Sequence, residues 1–109
     1  MDYEEYADYW KELPSDMKRE KIKNFVIRYK QSVKYHGTID WEDVRGKYIE
    51  YIDTEFKFRV LKVDRIKNGE ARVVEHFKGE KGNYIRRWVP REVITGVYSR
   101  RSKQLKEII

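Results

Sequence analysis

The sequence predicts an α+β fold in which an N-terminal helical hairpin packs on a small antiparallel sheet. Apolar residues recur every three or four positions through the first third of the chain, which is typical of amphipathic helices. After residue 46 they alternate instead with charged residues, which is typical of half-buried strands. A chain of 109 residues fits one domain. We therefore expect a single domain over residues 1–109, with the hairpin at 1–36 and the sheet at 47–99.

Two helices are predicted before the sheet. Apolar spacing places the first over about residues 2–13 and the second from an N-cap at Ser15 to about His36. Pro14 ends the first helix, and Gly37 is a usual signal at the end of the second. A connection this short favours an antiparallel hairpin.

The sheet is predicted to follow a connector at residues 38–46 that contains one helical turn capped by Asp40. Alternation and turn residues then place strands, in order, at 47–52, from 56 through 63, and at 70–77, 84–89 and 93–99. The broken alternation at Val60-Leu61 indicates a bulge, and Asn68-Gly69 indicates a tight hairpin. Residues 100–109 are expected to form a short helix or a tail.

Several classes of protein are excluded or disfavoured by composition. The chain has no cysteine, which excludes disulfides, thiolate metal sites and thiol catalysis. Its two histidines, His36 and His76, do not have the spacing of metal ligands, and we expect no metal and no cofactor. No nucleophile-elbow or phosphate-loop motif is present. The acidic start and the lack of a long apolar run predict a cytoplasmic protein with no membrane contact.

Charge is segregated along the chain, which has a net charge of +6. Residues 1–16 have a net charge of −5, residues 17–36 of +6, residues 37–56 of −4 and residues 57–109 of +9. The last of these blocks is basic enough to attract phosphate backbones. Its alternative interpretation is a solvated surface whose acidic and basic residues pair internally.

The stretch from His76 to Trp88 combines bases, aromatic residues and glycines in thirteen positions. Cations neutralise phosphates and aromatic faces stack on unpaired bases, so this combination favours nucleic-acid binding, to DNA or RNA. Phe77 and Trp88 are individually expected in the core, whereas the adjacent Arg86 and Arg87 are expected to be exposed. The predicted contacts form one basic sheet surface, with Tyr84 available for stacking: Lys57, Arg59, Lys78, Lys81, Arg86 and Arg87.

The charge pattern offers two other candidate surfaces. The second helix carries bases along one flank, at Arg19, Lys23, Lys30 and Lys34, and we interpret them as solvated charges. The acidic blocks at 1–16 and 37–56 would instead suit a protein partner, which makes an interaction or inhibitor module a further hypothesis.

The part from residue 47 to 99 resembles SH3-like barrels. The residues that carry the resemblance are the Asn68-Gly69 hairpin and the sequence from Trp88 through Val89-Pro90 to Ile94, where that fold places a single helical turn before a last short strand. The resemblance implies a small barrel and no particular function, because such barrels bind DNA, RNA or proteins.

A second resemblance is to RelE/HigB-type toxins, which are ribosome-associated endoribonucleases. The similar segments are Trp10–Pro14, Gly46–Tyr51, Phe58–Leu61, Val73–Lys78 and Pro90–Ile94. The resemblance implies RNA cleavage by Arg59, Lys78, Lys81 and Tyr84. Independently of the resemblance, His76 is a candidate acid or base near them, because histidine is the usual proton-transfer side chain at neutral pH. This activity is the alternative to binding without catalysis.

Overall fold

The computed structural model describes residues 2–33, 37–76, 82–99 and 106–109. In these residues it contains two α-helices followed by a seven-stranded sheet, which confirms the predicted α+β class. The helices are α1 (Tyr3–Glu12) and α2 (Ser15–Ser32). The strands are β1 (Gly37–Thr38), β2 (Tyr48–Ile52), β3 (Phe58–Lys67), β4 (Glu70–His76), β5 (Tyr84–Pro90), β6 (Ile94–Tyr98) and β7 (Lys106–Ile108).

The helix ends differ in how they are capped. The side chain of Asp2 accepts a hydrogen bond from the backbone N–H of Glu5 at 2.8 Å, which stabilises the first turn of α1. Ser15 was predicted as the N-cap of α2, but it is the first helical residue and Pro14 occupies the cap without a side-chain bond. The helix ends at Ser32, earlier than predicted, and His36 lies outside the described residues.

The sheet order is β1-β7-β6-β2-β3-β4-β5. Neighbouring strands are antiparallel except β1 and β7, so the sheet is mixed and not purely antiparallel as predicted. Strand β1 was not predicted. A helix or tail was predicted where β7 pairs with β6, and residues 100–105 lie outside the described part.

Backbone φ angles and strand register show which of the predicted turns, strand starts and bulges are present. Asn68 and Gly69 have φ of 51° and 75° and join β3 to β4, which confirms the hairpin. Phe56 has a φ of 61°, so the third strand starts at Phe58 and not at Phe56. The register shift lies between Val63 and Arg65 instead of at Val60-Leu61.

Two short 3-10 helices complete the described connections, Trp41–Val44 and Arg91–Val93. The first was predicted as a turn capped by Asp40. Asp40 does occupy the cap position, but its side chain makes no capping hydrogen bond.

The core joins both helices to the sheet. Its buried side chains are Trp10, Ile22, Val26, Val44, Ile49, Tyr51, Ile52, Val63, Ala71, Val73, Val89, Val93, Ile94 and Val97. The ring of Phe56 links the helices, because its centroid lies 5.2 Å from that of Trp10 and 5.0 Å from that of Phe25. Trp10 also donates a hydrogen bond from Nε1 to the carbonyl of Thr54 at 2.9 Å. These contacts fix α1 and α2 against the β2–β3 turn.

A buried ion pair connects the C-terminal strand to the centre of the sheet. Glu50 is only 5% exposed, and its Oε1 lies 2.8 Å from Nζ of Lys106. The hydroxyls of Thr95 and Tyr98 donate hydrogen bonds to the same carboxylate at 2.8 and 3.2 Å. Burial alone would raise the pKa of Glu50, but the hydrogen bonds from Lys106, Thr95 and Tyr98 outweigh it and hold that pKa below its usual value.

Candidate nucleic-acid interface

The register of β4 and β5 builds one exposed face of the sheet. His76 lies opposite Tyr84, and Arg72 lies opposite Trp88. Because directly opposed residues project on the same side, these four side chains share a face with Arg86, which alternates in phase with Tyr84 and Trp88. We call this surface the outer face. Tyr84 is 42% exposed and Trp88 is 41% exposed, so both rings are available to a ligand.

Each aromatic ring of the outer face lies beside a cation. The guanidinium carbon of Arg86 is 4.5 Å from the ring centroid of Tyr84, and Arg86 also donates a hydrogen bond to the hydroxyl of that tyrosine at 3.0 Å. The guanidinium carbon of Arg72 lies 5.8 Å from the ring centroid of Trp88. The rings of His76 and Tyr84 are 5.7 Å apart. Aromatic and cationic groups therefore alternate across two strands.

Asp64 holds the two arginines of the outer face in position. Its Oδ1 accepts a hydrogen bond from Nε of Arg72 at 2.9 Å, and its Oδ2 lies 3.4 Å from Nε of Arg86. The hydrogen bond from Arg72 holds the pKa of Asp64 below its usual value. Asp64 is therefore ionised at neutral pH and orients both guanidinium groups.

Strand β3 adds further bases to this face. Lys62 lies opposite Val74, Arg65 opposite Arg72, and Lys67 opposite Glu70. The shift in register at Asp64 inserts one residue, which reverses the alternation and brings Arg65 outward. Within the described residues, Lys62, Arg65 and Lys67 form no ion pair, so their charges are free to meet a ligand.

The predicted contact residues do not form one surface. Tyr84 and Arg86 lie on the outer face, whereas Arg59 and Arg87 belong to the opposite side of their strands. Lys57 precedes β3 and lies 3.3 Å from Glu55. Lys78 and Lys81 fall outside the described residues. The prediction of a single basic surface through Lys57, Arg59, Arg86 and Arg87 is therefore wrong for the described members.

Arg59 and Arg87 are held by acidic residues on that opposite side. Arg59 pairs with Glu75 and lies 3.8 Å from Asp53, and Arg87 lies 3.4 Å from the second carboxylate oxygen of Glu75. The hydrogen bond that Arg59 donates to the carboxylate of Glu75 raises the pKa of Arg59. These charges neutralise one another and stabilise the end of the sheet.

Sequence reasoning missed Arg72 and Trp88, which complete the outer face. Trp88 was expected in the core, but its neighbour Val89 takes the buried position. The signal was available, because adjacent residues of a strand face opposite sides and only one of the two can point inward. The exposure predicted for Arg86 and Arg87 is confirmed, and Phe77 lies outside the described residues.

Metal ligands and membrane-spanning segments are two further features that bear on function. The described part of the chain contains no cluster of three or more side chains suited to hold a metal ion. In those ranges, neither helix combines the length and apolar character needed to cross a bilayer.

Comparisons with protein-family models, with curated proteins and with solved structures give no match to this chain. The resemblances to SH3-like barrels and to RelE/HigB-type toxins therefore stay predictions.

Proposed function

We propose that this protein binds single-stranded nucleic acid through the outer face, without catalysis. The observation that carries the proposal is the exposure of Tyr84 and Trp88 on one face of the same strand, each beside an arginine. Stacking on aromatic rings and neutralisation of phosphates by cations are the two contributions that single-strand binders combine.

The aromatic spacing favours a single strand over a duplex. Tyr84 and Trp88 are four residues apart on β5, which corresponds to roughly 13 Å at about 3.3 Å per residue. Each exposed ring presents a surface on which a base can stack, and only unpaired bases expose such a surface. A duplex would meet the cations alone, so its binding would lack the stacking contribution.

Charge supports the same interpretation. The outer face carries Lys62, Arg65, Lys67, Arg72 and Arg86 against Asp64 and Glu70. This excess of positive over negative side chains belongs to the basic block of residues 57–109. A backbone that crosses from β3 to β5 would therefore meet cations on its way to the two rings and Arg86 between them.

The geometry gives less support to the endoribonuclease alternative. Arg59 and Tyr84, two of its four candidate residues, project from opposite sides of the sheet. Arg59 is also paired with Glu75. Binding without catalysis needs only the residues that share the outer face.

The test compares a labelled oligonucleotide as a single strand and as a duplex of the same sequence, by fluorescence anisotropy. We expect the single strand to bind more tightly. In the variant Tyr84→Ala/Trp88→Ala, single-strand binding should weaken by about 2 to 6 kcal/mol, because stacking contributes about 1–3 kcal/mol per base. Duplex binding should change much less.

Tyr3→Ala is the matched control, because Tyr3 is an exposed aromatic residue on α1, away from the outer face. It should leave both affinities unchanged. Equal weakening of duplex and single strand in the double variant, or unchanged single-strand binding, would contradict the proposal.

A further inference from the structure

A groove beside α2 is lined by cations that have few acidic partners. It lies between α2, the Asn68-Gly69 turn and the 3-10 helix Arg91–Val93, and it has a volume of about 500 Å³. Arg19, Lys23 and Lys30 line it from one face of α2, and Arg91 lines it from the 3-10 helix. None of the aromatic residues of the outer face takes part.

The partners of these cations are unequal. Arg19 is paired with Glu92 at 2.7 Å. Within the described residues, Lys23 and Lys30 form no ion pair, and the guanidinium of Arg91 lies 5.3 Å from the ring centroid of Trp41 without a carboxylate. Glu70 also lines the groove and forms no ion pair within the described residues. It is one acid against three bases without an acidic partner, Lys23, Lys30 and Arg91.

The cations of the groove also repel one another. Burial lowers the pKa of Lys30, and the charges of Arg91 and Lys106 lower it further. Lys106 already forms an ion pair with Glu50. Its charge still acts on Lys30, but its ammonium group is not counted among the groups that would bind an anion. A site that concentrates positive charge in a partly desolvated groove is stabilised when an anion enters.

The walls between the cations are apolar. The groove is lined by Val26, Ile27 and Pro90. Ile27 is 48% exposed, so an apolar side chain is open to a ligand there. Apolar walls with a few convergent charges, in a volume of this size, are typical of sites for small organic ligands.

We propose that this groove binds a phosphate-bearing ligand of mononucleotide size, with its phosphate held by Lys23, Lys30 and Arg91. The phosphate belongs either to a free nucleotide or to one nucleotide of a bound strand, and the chemistry of recognition is the same. The proposal does not rest on the function of the outer face, since Lys23, Lys30 and Arg91 are not among the cations of that face.

The test titrates the protein with adenosine monophosphate and, separately, with inorganic phosphate, and follows backbone amide shifts by NMR. We expect saturable shifts at Lys23, Lys30, Asn68 and Arg91 with the nucleotide, and weaker binding of inorganic phosphate, which lacks the apolar contacts. Shifts confined to β5, or the absence of saturable shifts, would overturn the proposal.

A pair of variants checks the same site by affinity. Lys23→Ala/Lys30→Ala should weaken nucleotide binding at least about tenfold, because hydrogen bonds to charged groups each contribute a factor of this order. Lys21→Ala/Arg28→Ala removes the same charge from the same helix outside the groove, and it should have little effect. Equal weakening in both variants would overturn the proposal.

A third titration identifies the source of the phosphate. If a short oligonucleotide also loses affinity in Lys23→Ala/Lys30→Ala beyond the control, the groove holds a strand phosphate. If only the mononucleotide loses affinity in this variant, the groove binds a free nucleotide. If neither ligand loses affinity, the assignment is wrong.

Discussion

Arg86 and Arg87 are adjacent in sequence and lie on opposite sides of β5, which makes them a matched pair for locating the bound strand. Arg86 lies on the outer face beside Tyr84, whereas Arg87 faces Glu75. Their side chains are almost equally exposed, at 46% and 49%, so exposure does not distinguish them. The substitutions Arg86→Ala and Arg87→Ala each remove one positive charge.

The expected difference is in salt dependence. One phosphate contact contributes a slope of about 0.7 to the log–log dependence of single-strand affinity on salt. Arg86→Ala should flatten the slope by this amount, so the ratio of wild-type to variant affinity falls about 2.6-fold between about 50 and 200 mM salt. Arg87→Ala should leave the slope unchanged, because Arg87 is on the other side of β5, is paired with Glu75 and neutralises no phosphate of the strand.

Fluorescence anisotropy titrations of a labelled single strand at four or more salt concentrations measure both slopes. Thermal unfolding of each variant is the control for an intact fold. An equal change of slope in the two variants, or a larger one in Arg87→Ala, would refute the assignment of the strand to the outer face.

Three further predictions concern the stability of the fold, each measured by urea unfolding. Glu50→Gln leaves the buried ammonium of Lys106 without its counter-charge and should cost about 3–5 kcal/mol, while Glu50→Gln/Lys106→Met should recover most of it. Because the pKa of Glu50 is lowered in the folded state, its contribution is present above the unfolded pKa and is lost as pH falls through the folded one; this loss should be absent in Glu50→Gln. Gly69→Ala should cost about 1–2 kcal/mol, because Gly69 has a φ of 75°. Gly96→Ala should cost about 1–3 kcal/mol by displacing Lys106, whose Cγ would lie 2.9 Å from the new methyl group. Unchanged stability in any of these variants would contradict the corresponding contact.

The parts of the fold that depend on local sequence were predictable. The change from helical to alternating spacing near residue 46 placed both helices and the strands from β2 to β6. The Asn68-Gly69 hairpin was predicted because its two residues tolerate positive φ, whatever the rest of the chain does. The short strands β1 and β7 could not be predicted in this way, since they exist only through pairing with each other and β6.

The candidate site was less predictable, because it depends on which face each strand buries. Alternation along β5 puts Arg86 on the side of Trp88 and Arg87 on the other side, but the sequence did not indicate which side is exposed or which arginine meets Glu75. The register shift after Val63 also reverses the phase of β3, which decides that Arg65 joins the outer face. Sequence alone places such a break only roughly, and a shift of one residue exchanges the two faces.

The emission of Trp88 tests the central claim most directly, because stacking on this ring is what the proposed binding requires. The variant Trp10→Phe/Trp41→Phe leaves Trp88 as the one tryptophan of the three in the chain. On titration with an unlabelled single strand, we expect its emission to be quenched saturably, with the same midpoint as anisotropy gives for the labelled strand. Binding by anisotropy with unchanged Trp88 emission would contradict the account.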